Sequence, residues 1–140
     1  MNVEKVNIQI KLSPTFWDQP PRAKVYVDST VIFQGAVDEP KHINWEGTLI
    51  EGDHAIKIVY HSKDYRSQTV IDEQGIRKDQ MLNIDGIIID DIDLGFVYQQ
   101  KATYITENNV SLDTTINLGE NGTWSLAFSS PVYIWLLENL

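Results

Sequence analysis

The segment from Gly52 to Leu94 restricts the fold more than any other, because it holds two apolar runs whose spacing suits strands and not helices. In GDHAIKIVYHSKD, His54, Ile56, Ile58 and Tyr60 alternate with Ala55, Lys57, Val59 and His61, the period-two signature of a half-buried strand. In DQMLNIDGIIIDDIDLG, Ile84, Ile87, Ile88, Ile89 and Ile92 stand among aspartates, which predicts a deeply buried strand with acidic ends. The two are expected to be neighbouring core strands of one β-sandwich.

The flanking sequence agrees with that expectation. Val6, Ile8, Ile10 and Leu12 alternate with Asn7, Gln9 and Lys11 until Pro14 stops the pattern, and SPTFWDQPPR then reads as a rigid loop. Ala23, Val25 and Val27 begin a strand that Asp28-Ser29-Thr30 turns back through Val31 to Ala36. Ile43, Trp45, Gly47 and Leu49 share one face of the next strand, and Glu51-Gly52-Asp53 turns the chain again. The charged connection at 62–80 predicts a protruding hairpin with Gly75 near its tip. Strands are expected at Gly95 to Tyr98, around Thr103 to Ile105, and through Val110, Leu112, Thr114, Ile116 and Leu118. Asn121-Gly122 then predicts a turn into a hairpin partner carrying Trp124, Leu126 and Phe128. Ser130-Pro131 is a helix-start signal, so a short C-terminal helix is expected at 131–140. The whole describes one domain, 1–140.

Composition removes several classes of function. The chain has no cysteine among its 140 residues, so it forms no disulfide, thiolate metal site or cysteine nucleophile. Its net charge of −9, with 11 basic residues dispersed among 20 acidic ones, predicts no nucleic-acid partner. No run approaches the roughly 20 apolar residues that cross a bilayer, so no membrane partner is expected. MNVEKVNIQIK lacks the apolar core of a signal peptide, which predicts synthesis in a cytoplasm. No enzyme is expected either. The nucleophile-elbow, zinc-protease, Walker and dinucleotide motifs are all missing, and His54 and His61 fall on opposite faces of one strand.

Three sets of side chains are candidates for binding. Trp17 in the proline-rich loop and Tyr65 in the long connection are placed to stack on sugar rings, whereas Trp45 and Trp124 lie on apolar alternating faces and are expected in the core. Asp64 and Asp79, with Asp85, Asp90, Asp91 and Asp93, offer hard oxygen ligands for calcium, or else serve as turn formers and solubilising strand ends. Trp135, Leu136 and Leu140 on the terminal helix either plug the open end of the sandwich or enter a neighbouring subunit as a protein interface.

Two family resemblances follow from these segments. VYVDSTVIFQG, GDHAIKIVYHSKD and LNIDGIIIDDIDL, between residues 23 and 94, resemble the jelly-roll carbohydrate-binding modules, including calcium-dependent xylan-binding types. That likeness implies a jelly-roll sandwich and a glycan partner. Carried over residue by residue, it implies Asp64 and Asp79 as ion ligands, although a long insertion separates them. IDGIIIDDIDLG with NGTWSLAFSSPVYIWLLENL also resembles small β-sandwich virion proteins of tailed bacteriophages. This second likeness implies a multimeric structural or decoration protein of a capsid, neck, tail or fibre, made in the host cytoplasm and held by other virion proteins. The preferred expectation is that virion role without a required cofactor, and the alternative is a carbohydrate-binding module assisted by calcium.

Overall fold

The computed structural model describes residues 2–112 and 116–140, apart from the side chain of Phe96. The strands are β1 (Val3–Thr15), β2 (Arg22–Val27), β3 (Thr30–Ala36), β4 (Lys41–Ile50), β5 (Gly52–His61), β6 (Val70–Asp72), β7 (Gly75–Lys78), β8 (Met81–Ile89), β9 (Ile92–Asp93), β10 (Thr103–Thr106), β11 (Ser111–Leu112), β12 (Asn117–Leu118) and β13 (Gly122–Ser130). Among the described residues two short helices, α1 (Tyr65–Gln68) and α2 (Phe96–Lys101), stand between strands, and α3 (Val132–Asn139) follows β13. One sheet runs β12-β8-β1-β4, with β9 added to β8, and the other runs β11-β10-β13-β5-β2-β3. Every described pairing is antiparallel.

Alternation explains why the sheets stack. Val6, Ile8, Ile10 and Leu12 turn inward from one sheet, while Ile56, Ile58, Tyr60, Trp124, Leu126 and Phe128 turn inward from the other, and all join one buried cluster. Each such side chain contributes roughly 1.5–3 kcal/mol by leaving water. The fold is thus the expected β-sandwich of jelly-roll type with a short C-terminal helix. Among the described residues no helix is long and apolar enough to cross a membrane.

Several expectations are corrected. β5 and β8 do not neighbour one another within a sheet: β5 lies between β13 and β2, and β8 between β12 and β1. The long connection carries the chain from one sheet to the other, which a tight hairpin cannot do. β8 is also buried on one side only. The register against β1 slips between Lys11 and Leu12, where Gly86 and Ile84 are the respective partners, so Asp85 forms a bulge. That extra residue lets Ile84 and Ile87 both face the core, while Ile88 is half-buried and Ile92 is exposed.

Gly95 to Tyr98 is not a strand but the start of α2. Asp93 Oδ1 accepts the Gly95 N–H at 2.8 Å, and Gly95 at φ 53° turns the chain into the helix. The expected strand from Val110 to Leu118 is divided between the sheets, β11 pairing with β10 and β12 with β8. Thr114 lies outside the described residues. Asn121-Gly122 makes no hairpin with that segment, since β13 pairs with β5 and β10. Ser130 does not cap α3 either; Glu4 of β1 accepts both its hydroxyl and the Val132 N–H.

Register defines two poles. Thr15 opposite Met81, Arg22 opposite His61 and Tyr60 opposite Gly122 bring the 16–21 loop, α1, the β6–β7 hairpin and the start of β13 to one pole. Val3 opposite Ile50 and Gly52 opposite Ser130 set α3 at the other.

Candidate functional site

The first pole is knit together by polar side chains that the apolar pattern leaves unassigned. α1 begins at Asp64, whose Oδ1 accepts the Arg66 N–H at 3.0 Å as a cap. Gln68, fully buried at the other end of α1, accepts the Gln19 N–H through Oε1 at 3.1 Å and donates to Asp18 Oδ2 at 3.0 Å. Its carbonyl accepts the Trp17 indole N–H at 2.9 Å, fastening the proline-rich loop to the helix. Gln80 repeats the device, accepting the buried Tyr60 hydroxyl at 2.6 Å and donating to the Gln19 carbonyl at 2.9 Å. Burial drives the Tyr60 hydroxyl well above its ordinary pKa, so it acts only as a neutral hydrogen-bonding group.

Lys63 and Asp79 form the electrostatic centre. The Lys63 side chain is 2% exposed, and its Nζ donates to Asp79 Oδ1 at 2.6 Å and to the Gly119 carbonyl at 2.7 Å. Asp79 Oδ1 also accepts from Thr69 Oγ1 at 2.7 Å and from the Gln80 N–H at 2.8 Å. Burial opposes ionisation of Asp79, but these three donors and the ammonium charge outweigh it and hold its pKa below the ordinary 3.8. Asn121 anchors the backbone of Lys63 from both sides, accepting its N–H and donating to its carbonyl, each at 3.0 Å.

Around this centre lies a cleft of about 310 Å³ lined by Lys63, Tyr65, Thr69, Ile76, Asp79, Gly119 and Glu120. Tyr65 is half-exposed, its ring lies 5.4 Å from the Lys63 Nζ, and its hydroxyl accepts the Asn121 N–H at 2.7 Å. The ring is therefore fixed at both ends. Because all three hydrogen bonds to Asp79 fall on Oδ1, its Oδ2 keeps no protein partner among the described residues. The cleft thus sets one rigid aromatic wall against carboxylate acceptors.

The structure brings some candidates together and separates others. Tyr65 and Asp79 share the cleft, whereas Trp17 stands outside it, half-exposed, with the Lys78 ammonium 4.7 Å from its ring. Asp64 is spent as the cap of α1, and an ammonium already sits beside Asp79, so this donor set does not fit a calcium ion. Asp93 serves as a turn former, receiving the Gly95 N–H, whereas Asp90 Oδ1 accepts the Asn7 N–H of β1 at 2.8 Å. Among the described residues no group of three or more His, Cys, Asp or Glu side chains is arranged to hold a metal. Trp135 and Leu136 are buried, Trp135 edge-on to Phe128 at 6.3 Å, while Leu140 is exposed beside Tyr133 and Leu137.

Lys63, Gln68 and Gln80 escaped the sequence analysis, and Asn121 was read there only as a turn residue. Each is a polar residue in a polar stretch, and only the meeting of distant loops gives it a partner. His54 directs Nδ1 to Asp28 and Nε2 to the Ile50 carbonyl, both at 2.7 Å, leaving neither nitrogen for a substrate.

No family model and no curated protein matches this chain. Among solved structures it is similar to the carbohydrate-binding module vCBM60 in complex with galactobiose, at 12% identity and a TM-score of 0.48, covering 86% of this chain and 96% of that one. It is also similar to the selenomethionine form of vCBM60, described with circular permutation as a link between two families of calcium-dependent carbohydrate-binding modules. There the identity is 12% and the TM-score 0.46, over 86% of this chain and 89% of that chain.

Proposed function

We propose that this chain is a non-enzymatic carbohydrate-binding β-sandwich that takes a sugar in the Tyr65–Asp79 cleft without a metal ion. The observation that supports it is the pairing of a fixed, half-exposed Tyr65 ring with Asp79 and Glu120 in one cleft. Sugar rings present apolar C–H faces to an aromatic wall and hydroxyl donors to carboxylates, and a preorganised wall loses little freedom on binding. Lys63 supplies in place the positive charge that otherwise requires an ion.

Calorimetric titration with galactobiose and a panel of neutral oligosaccharides, with and without chelator, tests this reading. Binding should persist in chelator, vanish in Tyr65→Ala and survive in Tyr65→Phe, with melting curves confirming that each variant is folded. Absence of binding across the panel would defeat the function, and binding undiminished in Tyr65→Ala would defeat the site.

A second reading, a protein that assembles into multimers, draws on α3. Tyr133, Leu137 and Leu140 with Ile92 surround an open apolar depression of about 250 Å³. Exposed apolar patches of this kind mark contact surfaces. Light scattering of the pure protein and of Leu137→Glu decides it: an oligomer dissolved by the charge supports assembly, and a monomer in both cases removes it.

A further inference from the structure

The terminal helix is apolar on two sides. Val132, Trp135 and Leu136 are buried against the sandwich, where Trp135 meets Phe128. Tyr133, Leu137 and Leu140 recur at the i, i+4, i+7 spacing of a second stripe, which a surface helix ordinarily fills with polar residues. Leu137 is 76% exposed and Tyr133 63%, so nothing among the described residues covers that stripe. Ile92 of β9 closes its other side, and these side chains with the buried Leu136 surround the depression of about 250 Å³. That is less than the roughly 300–1,000 Å³ of small-molecule pockets and suits anchoring side chains of a larger partner.

The charge around it has one sign. Asp91 and Asp93 stand either side of Ile92, and Glu138 follows Leu137. All three are exposed, and among the described residues none pairs with a Lys or Arg. Each is one residue removed from a lining side chain and therefore acts within a Debye length, about 10 Å. Between Lys78 and Leu140 the sequence holds a single basic residue, Lys101 in the last turn of α2. Lys5, the basic residue of β1 nearest this pole, already faces Glu46 at 4.0 Å.

We propose that this depression docks a cationic amphipathic segment of another protein, its apolar side chains entering between Leu137 and Ile92 and its Lys or Arg residues meeting Asp91, Asp93 and Glu138. Charge decides among the occupants. A second copy of this chain would bring the same three carboxylates and its own net charge of −9 to the contact. A membrane surface is negative and recruits helices whose polar face is rich in Lys and Arg, of which α3 has none. The site lies at the pole opposite the Tyr65 cleft and does not depend on what that cleft takes.

Calorimetric titration of the full chain with a short amphipathic peptide of leucine and lysine tests the proposal. Two control peptides carry alanine for every leucine or glutamate for every lysine. At about 0.05 M salt the first peptide should bind, the alanine peptide at least about tenfold more weakly and the glutamate peptide not at all, and roughly 0.5 M salt should weaken the first by about tenfold. Leu137→Ala should weaken it by about tenfold, and Asp91→Asn/Asp93→Asn/Glu138→Gln by about as much, with melting curves near wild type because all four side chains are exposed. Asparagine keeps the Oδ1 acceptor that Asp93 offers to Gly95 and suits the φ of 65° at Asp91. Asp38→Asn/Glu39→Gln/Glu73→Gln removes as much charge at the opposite pole and should leave binding unchanged. Failure of the lysine peptide to bind, equal binding of the alanine peptide, equal losses in the two triple variants, or a dimer of the free chain that Leu137→Glu dissociates would each overturn the proposal.

Discussion

The Glu4 carboxylate accepts the Val132 backbone N–H at 2.7 Å, and the same oxygen accepts the Ser130 hydroxyl at 2.6 Å. The first strand therefore caps the last helix. Removing a cap acceptor costs about 0.5–2 kcal/mol, so Glu4→Ala should lower stability by that amount and speed hydrogen exchange along α3. Wild-type exchange in α3 of the variant would show that the contact does not hold the helix.

Lys63 and Asp79 should behave as a unit. Lys63→Met leaves the Asp79 carboxylate without its ammonium and should cost about 3–5 kcal/mol in urea denaturation, whereas Lys63→Met/Asp79→Asn should recover part of that loss. Because the Asp79 pKa is lowered on folding, its contribution is present above its unfolded value and is lost as pH falls through the folded value. The double variant should lose that acid sensitivity. Additive single-variant losses would contradict the coupling.

His54 ties the β2–β3 turn to the β4–β5 turn, and both of its partners are acceptors, which requires an imidazolium. Burial lowers its pKa, but the Ile50 carbonyl and the Asp28 carboxylate outweigh burial and leave it raised above 6.5. Its stabilisation is therefore complete below that value and fades as pH rises through the folded pKa. Subtracting the melting temperatures of His54→Gln from those of the wild type should give a difference that shrinks toward alkaline pH. A constant difference would assign His54 a packing role only.

Gly122 is where β13 meets β10 too closely for a side chain. A Cβ there would sit 2.5 Å from the Ile105 carbonyl oxygen and 2.8 Å from the Thr106 Cα, both of them backbone atoms. Gly122→Ala should therefore destabilise by about 1–3 kcal/mol, measured by chemical denaturation. Neutral stability would mean that the two strands separate freely at this point.

Much of the sandwich was legible in period-two patterning. Val6 to Leu12, Ala23 to Val27 and Ile56 to Tyr60 alternate because one face of each strand meets the core. Pairing was not legible, since alternation reports which face is buried and nothing about the neighbour. β5 and β8 therefore looked adjacent, and the bulge at Asp85 stayed hidden inside an isoleucine run. Asn121-Gly122 misled for a related reason. Turn chemistry and close backbone approach both favour glycine, and here approach decides. At the candidate site Tyr65 and Asp79 were visible as residue types. The Lys63 ammonium between Asp79 and Gly119 was not, because its partners stand 16 and 56 residues further along the chain.

The two poles also govern how the domain stands when tethered. Val3 pairs with Ile50, and Leu140 lies beside Ile92, at the pole remote from Tyr65 and Asp79. Anchored to a bead, a surface or another polypeptide through either terminus, the sandwich presents its cleft outward, so immobilisation leaves that mouth uncovered.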